Sequence, residues 1–167
     1  METNNSRTGV EQIAQQLWEQ GSFQIPGGSG AVVGQAAPVS DLSGTFDSWV
    51  VPLTIQDRLV AWAQFSPQLI LRRFSLFLRR EGDLYRCPKV ADWFDPEVVR
   101  ERVIGKAGYH ADLTAPLLVF DRDPSRLVWM VEARYQDGSR KRWFVAGESV
   151  WEDHPGMEEV TGGLGRR

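Results

Sequence analysis

Cysteine and histidine are almost missing from this chain of 167 residues, which holds one cysteine, Cys87, and two histidines, His110 and His154. A lone thiol cannot close an internal disulfide, which fits a reducing, cytoplasmic setting. Long apolar runs are missing too. None approaches the roughly 18 residues that a membrane-spanning helix needs, and the start METNNSRTGVEQ lacks the apolar stretch of a secretory signal. There is no Gly-x-Ser-x-Gly elbow and no Gly-Lys-Ser/Thr loop, so neither a serine hydrolase of that type nor a P-loop nucleotide binder has support. What is present has ordinary proportions. With 42% hydrophobic and 25% charged residues, the chain is neither disordered throughout, nor collagen-like, nor a coiled coil. Its length suits one domain.

The net charge is -3, unevenly spread. Residues 1–69 carry 2 basic and 6 acidic side chains, residues 70–106 carry 9 and 6, and residues 107–167 carry 8 and 10. A middle surplus of three positive charges is thin beside the strongly basic face that a nucleic-acid binder uses.

Thr8-Gly9-Val10-Glu11 matches a capping box, and Val10, Ile13, Ala14, Leu17 and Trp18 follow at helical spacing up to Gly21. This predicts a helix over 9–20. Residues 26–44 are rich in Gly, Ala, Ser and Pro and read as a long connection or surface loop. Strands are expected at 45–51, ended by Pro52, then at 58–65, 69–80 and 84–87. Asp95-Pro96 opens a second helix that runs to Gly105 and Gly108. Further strands are expected at 117–121 and at 150–151, and Asp123-Pro124-Ser125-Arg126 reads as a turn. Between them Asp137-Gly138 predicts a two-residue hairpin joining 126–136 to 139–146. Counted from that turn, Val131 faces Phe144, Trp129 faces Ala146 and Glu132 faces Trp143. No self-similarity shows at a period of 20–50 residues.

These elements imply an α+β fold: a curved antiparallel sheet of about six or seven strands, an N-terminal helix and a second helix inserted mid-chain. Residues 1–7 read as a flexible N-terminus, 8–152 as a single domain and 153–167 as a flexible tail. A helix followed by a curved meander resembles cystatin-like and secretion-chaperone-like modules in outline. No motif accompanies that outline, and a fold does not fix a function.

Candidate chemistry is sparse. Gly28-Ser29-Gly30-Ala31-Val32-Val33-Gly34 has the outline of a dinucleotide loop, but its lead-in strand is short and Pro38 interrupts any following helix. Tyr109-His110-Ala111-Asp112 and Glu152-Asp153-His154 each set a carboxylate beside an imidazole, without the spacing of a metal site. Cys87 has cationic neighbours in sequence, which would favour its thiolate, but no histidine base close by, and a small core residue is the preferred reading of a lone cysteine. Neither a cofactor, a metal nor a catalytic set is assigned, and a non-enzymatic role is preferred. Arg72-Arg73-Phe74-Ser75-Leu76-Phe77-Leu78-Arg79-Arg80 and Arg140-Lys141-Arg142-Trp143-Phe144 interleave cations with aromatics, as single-strand nucleic-acid binders do. Cations that keep strand edges soluble, with aromatics filling the core, are the preferred explanation of the pattern.

Seven tryptophans are more indole than one half-covered sheet is expected to hide, and surface tryptophan anchors protein interfaces. The first reading is therefore a non-catalytic protein-interaction or regulatory module, plausibly a homodimer. Its partner-binding residues would be Trp143, sharing a face with Glu132, Arg134 and Lys141, together with Trp151. The alternative is a small-molecule-binding domain or enzyme with an aromatic-lined cleft between helix and sheet. The third is single-stranded nucleic-acid binding through the basic strands. No membrane partner is expected.

Overall fold

The computed structural model describes residues 2–121 and 126–153, with side chains described for 7–121 and 126–153. Helix α1 spans Glu2–Glu19 and is followed by strands β1 (Val32–Val33), β2 (Ala37–Ser40), β3 (Phe46–Ile55), β4 (Arg58–Phe65) and β5 (Leu71–Leu76). A 3₁₀ turn at Leu84–Arg86 leads into helices α2 (Val90–Phe94) and α3 (Pro96–Ala107). Strands β6 (Asp112–Leu113), β7 (Leu117–Phe120), β8 (Leu127–Arg134), β9 (Arg140–Ala146) and β10 (Ser149–Glu152) complete the order. The fold is α+β, and its ten strands form one sheet in the order β10-β9-β8-β7-β2-β3-β4-β5, with β1 on β3 and β6 on β8. Every pairing is antiparallel except that of β2 with β7, made at Ser40 and Val119.

The three strands beyond those expected are β1, β2 and β6. Two of them lie in the glycine-rich stretch 26–44, which is therefore not one long loop. Ala37-Pro38-Val39-Ser40 pairs with Val50, Trp49, Ser48 and Phe46 in the middle of the sheet. Proline argues against a central strand because it donates no amide, and the ladder from β2 to β7 is accordingly a single residue pair. Pro52 likewise sits inside β3, opposite Trp62, and does not end the strand. The expected strand at 84–87 is instead the 3₁₀ turn. Asp95 caps α3 as its sequence implies, accepting from the Glu97 amide at 3.0 Å. The capping box at Thr8 is not used, because α1 begins at Glu2. Glu11 turns outward and accepts from the Ala36 amide at 2.8 Å, tying the β1–β2 link to the helix.

The pairing scheme repeats itself. In the first half β1 and β2 both pair β3, β3 pairs β4 and β4 pairs β5; in the second, β6 and β7 both pair β8, β8 pairs β9 and β9 pairs β10. Strands β1 and β6 start at 32 and 112, β2 and β7 at 37 and 117, β3 and β8 at 46 and 127. The repeat thus lies about 80 residues apart, beyond the shorter periods the sequence was read for. Trp49-Val50-Val51 and Trp129-Met130-Val131 occupy matching places.

A two-fold relation about the parallel seam turns the sheet over, so the two helices cover opposite faces. Val10 and Ala14 of α1 pack on Trp49, Val51 and Leu53, while Val99 and Val103 of α3 pack on Trp129, Val131 and Val145. The second cluster also takes in Val39, Val50, Leu59 and Trp62 from the first half. One core therefore belongs to both halves. The outer face of β7–β10 carries Val119, Val128 and Phe144, with Leu42, Met130, Ala146 and Trp151 around them and no helix among the described residues.

Candidate functional site

The hairpin expected to carry the partner-binding residues has a different register. Tyr135 and Ser139 close the loop, with the Tyr135 amide donating to the Ser139 carbonyl and the Gly138 amide to the Tyr135 carbonyl. The loop is thus three residues, Gln136-Asp137-Gly138, and only Gly138 has positive φ (85°). A type I turn followed by one left-handed glycine makes this longer loop, whereas a two-residue loop needs both central residues left-handed. The carboxylate of Asp137 holds the turn by accepting from the Ser139 amide at 2.8 Å and its hydroxyl at 2.6 Å.

One residue of slip changes what every side chain faces. Val131 lies opposite Trp143, Glu132 opposite Arg142, Ala133 opposite Lys141 and Trp129 opposite Val145. Trp143 therefore shares its face with Val131 and Trp129, under α3, and not with Glu132 and Arg134. Its indole nitrogen is buried with no hydrogen-bond partner among the described residues. Glu132 and Arg134 lie on the other face, 3.2 Å apart as an ion pair, with Arg140 at 3.8 Å from the same carboxylate. Lys141 pairs with Glu152 at 3.7 Å. Trp151 packs on Phe144 of the outer face, with the Arg126 guanidinium 5.2 Å from its ring. The five residues do not form one patch.

Nor is indole left outside. Trp49, Trp62 and Trp129 are 3%, 8% and 6% exposed, and Trp18, Trp93, Trp143 and Trp151 are half-buried. Helix α2, which the sequence reading missed, helps to absorb them. Its Trp93 and Phe94 meet Trp62 edge-on, at centroid distances of 5.5 and 6.2 Å, and the Trp93 carbonyl accepts from the Trp129 indole at 2.6 Å.

His110 is exposed, and His154 lies outside the described residues, as does most of the turn expected at 123–126. Among the described residues no group of three His, Cys, Asp or Glu is placed to hold a metal ion. Cys87 is buried; desolvation pushes its thiol pKa up, with Asp83 adding to the rise and Arg58 partly opposing it. The thiolate that its sequence neighbours would favour is therefore disfavoured, because burial outweighs the cation, and Cys87 is the small core residue that a lone cysteine more often is. The glycine-rich loop leads into β1 and β2, not into a helix whose amino end could face a pyrophosphate.

Three clefts open among the described residues. One, of about 590 Å³, is a shallow and open groove between Trp18 at the end of α1, Phe23 and the Gly27–Ser29 turn, with no charged side chain in its described lining. The other two lie at opposite ends of the sheet. One, of about 520 Å³, opens where β2 and β7 end and their chains turn away in opposite directions; it is lined by polar residues including Asp41, Asp47, Gln64, Arg72 and Arg73. The five buried polar residues among those described, Ser40, Ser48, Gln64, Ser66 and Asp121, cluster at this end. Most of these groups already have partners. Gln64 donates to Ser48 at 3.1 Å, Arg72 lies 3.7 Å from Asp47 and Arg126 bonds Asp121. Asp41 accepts from the amides of Ser43 and Thr45 and from the Ser43 hydroxyl, which draws its pKa below the ordinary carboxylate value. These bonds hold the strand ends together.

The other cleft, of about 450 Å³, has a different character. Its walls are Phe94 and Trp129 on one side and the Gly34–Pro38 link with Pro52 on the other, and Val90, Thr54 and Pro96 also line it. On strands β3 and β8, which supply Pro52, Thr54 and Trp129, three distant segments converge to build it: the start of α1, the link pinned by Glu11, and the corner between α2 and α3. Among the described residues Arg7 is the one charged residue in the lining. Sequence reading could anticipate an aromatic-lined space between helix and sheet but could not name Arg7, which stands in a stretch assigned to a flexible terminus. In comparisons with known proteins, no family model, curated protein or solved structure matches the chain.

Proposed function

We propose that this protein is a non-catalytic binding module that holds a small molecule in the cleft between Arg7, the Gly34–Pro38 link and the α2–α3 corner. The observation that carries this reading is the lining itself. A space of about 450 Å³ walled by Trp129, Phe94, Pro38 and Pro52 has the size and apolar character of ligand pockets. Binding is preferred to turnover because, among the described residues, Arg7 is the one ionisable group in that lining, and it serves neither as a nucleophile nor as a base at neutral pH. A fragment screen followed by amide and indole NMR tests the proposal. Ligands are expected to move the Trp129 indole resonance and the Ala36 and Ala37 amides; hits confined to other surfaces would overturn it.

A protein partner is the second reading, and the outer face of β7–β10 is the observation that favours it. Leu117, 38% exposed, starts a row that runs through Met130 and Phe144 to Trp151 across a face over which no described helix lies. Self-association through this face predicts a dimer in light scattering that Trp151→Ala weakens. A wild-type chain that stays monomeric at high concentration would remove it.

A further inference from the structure

We infer that the ligand of this cleft is an organic monoanion with a flat apolar body, its carboxylate held by Arg7; the inference rests on the ligand-site reading above. Arg7 has no acidic partner among the described residues. Its guanidinium carbon lies 6.0 Å from the Trp49 ring centroid, and its Nε is buried without a hydrogen-bond partner. Leaving a guanidinium without a counter-ion in a half-dry place is costly, and a carboxylate in the cleft relieves it through the terminal nitrogens, the buried Nε being closed to a ligand. Glu11, one turn along α1, could have served, but it accepts from the Ala36 amide.

The remaining donors around the cleft limit the ligand's charge. The Gly34 amide is committed to the Pro52 carbonyl at 2.8 Å, the Ala36 amide to Glu11, and Pro38 has none to give. The amino end of α3 is already capped by Asp95 and carries Glu97 in its first turn. The committed amides break up the link as a cradle: Gly34, Ala36 and Pro38 offer a ligand nothing, which leaves no run of consecutive amides of the kind that wraps a phosphate dianion. One guanidinium beside aromatic and proline walls instead fits a single negative charge on a planar hydrocarbon frame.

The test titrates the full chain with 1-naphthoate and with its neutral match 1-naphthamide, following the Trp129 indole resonance in wild type, Arg7→Gln and Arg7→Lys. Naphthoate is expected to saturate the shift, bind at least tenfold more weakly to Arg7→Gln, recover part of that loss in Arg7→Lys and weaken as salt is raised. Naphthamide should bind all three chains alike. Urea midpoints close to wild type establish that the variants are folded, and Arg7→Lys carries the comparison if Arg7→Gln is not. Equal binding of acid and amide, unchanged by Arg7→Gln, would overturn the monoanion and leave the cleft as a site. If neither compound moves the Trp129 signal at millimolar concentration, the cleft itself fails and the inference falls with it.

Discussion

At the scale of single residues, two tryptophans on the same face of β8 and β9 differ in one hydrogen bond. The Trp129 indole donates to the Trp93 carbonyl, whereas the Trp143 indole is buried and donates to nothing. A buried donor left unpaired forfeits about 1–3 kcal/mol, so removing it returns much of what the smaller ring loses. Trp143→Phe is therefore expected to change stability by less than about 1 kcal/mol in urea unfolding. Trp129→Phe should cost about 2 kcal/mol or more, because it leaves the Trp93 carbonyl unpaired. A large loss at position 143 would show that its nitrogen has a partner after all. Cys87 gives a second residue-scale expectation. Its raised pKa is a consequence of burial, and the sign follows: holding the neutral thiol stabilises the fold below the ordinary thiol pKa, and that contribution fades as pH rises through the raised value. Ellman's reagent at pH 8 should label the native chain only slowly and the urea-unfolded chain at once.

At the scale of elements, the β8–β9 hairpin shows what the sequence could and could not say. Asp137-Gly138 marked the turn correctly, yet the same dipeptide serves two loops that differ by one residue, and the difference moves Trp143 to the opposite face. The choice is made by Asp137, whose side chain takes the Ser139 amide and hydroxyl, and by tertiary packing under α3. Helix α3 was legible because its start is a local matter of Asp95 and Pro96. Strand β2 was not, because Ala37-Pro38-Val39-Ser40 has no strand character of its own and is held by β3. Arg7 was hidden for a similar reason, since its role exists only once the Gly34–Pro38 link is brought beside α1. Gly138→Ala is expected to destabilise by about 1–2 kcal/mol, the price of left-handed φ for an alanine. Hydrogen bonds from Ser139 lower the Asp137 pKa, so its contribution is complete above the ordinary carboxylate value and is lost as pH falls through the lowered one. Acid unfolding below about pH 4 should accordingly be less steep in Asp137→Asn than in wild type.

At the scale of the whole molecule, the two halves cannot be stable separately. Val39 and Val50 of the first half lie in the same cluster as Val99, Val103, Trp129 and Val131 of the second, and each valine is fully buried. Val50→Ala removes two methyl groups' worth of burial, about 2 kcal/mol with the cavity included. It is expected to lower one common transition, with near-ultraviolet and far-ultraviolet signals still coincident. Two separated transitions would mean that the halves unfold independently. The turn Arg79–Gly82 that leaves the first half is exposed throughout. Severing the backbone there would yield two fragments, each with a naked side that only the other can cover. Such pieces should remain unstructured when kept apart and recover the native spectrum when mixed, which would make this chain a natural source of split-protein reporters.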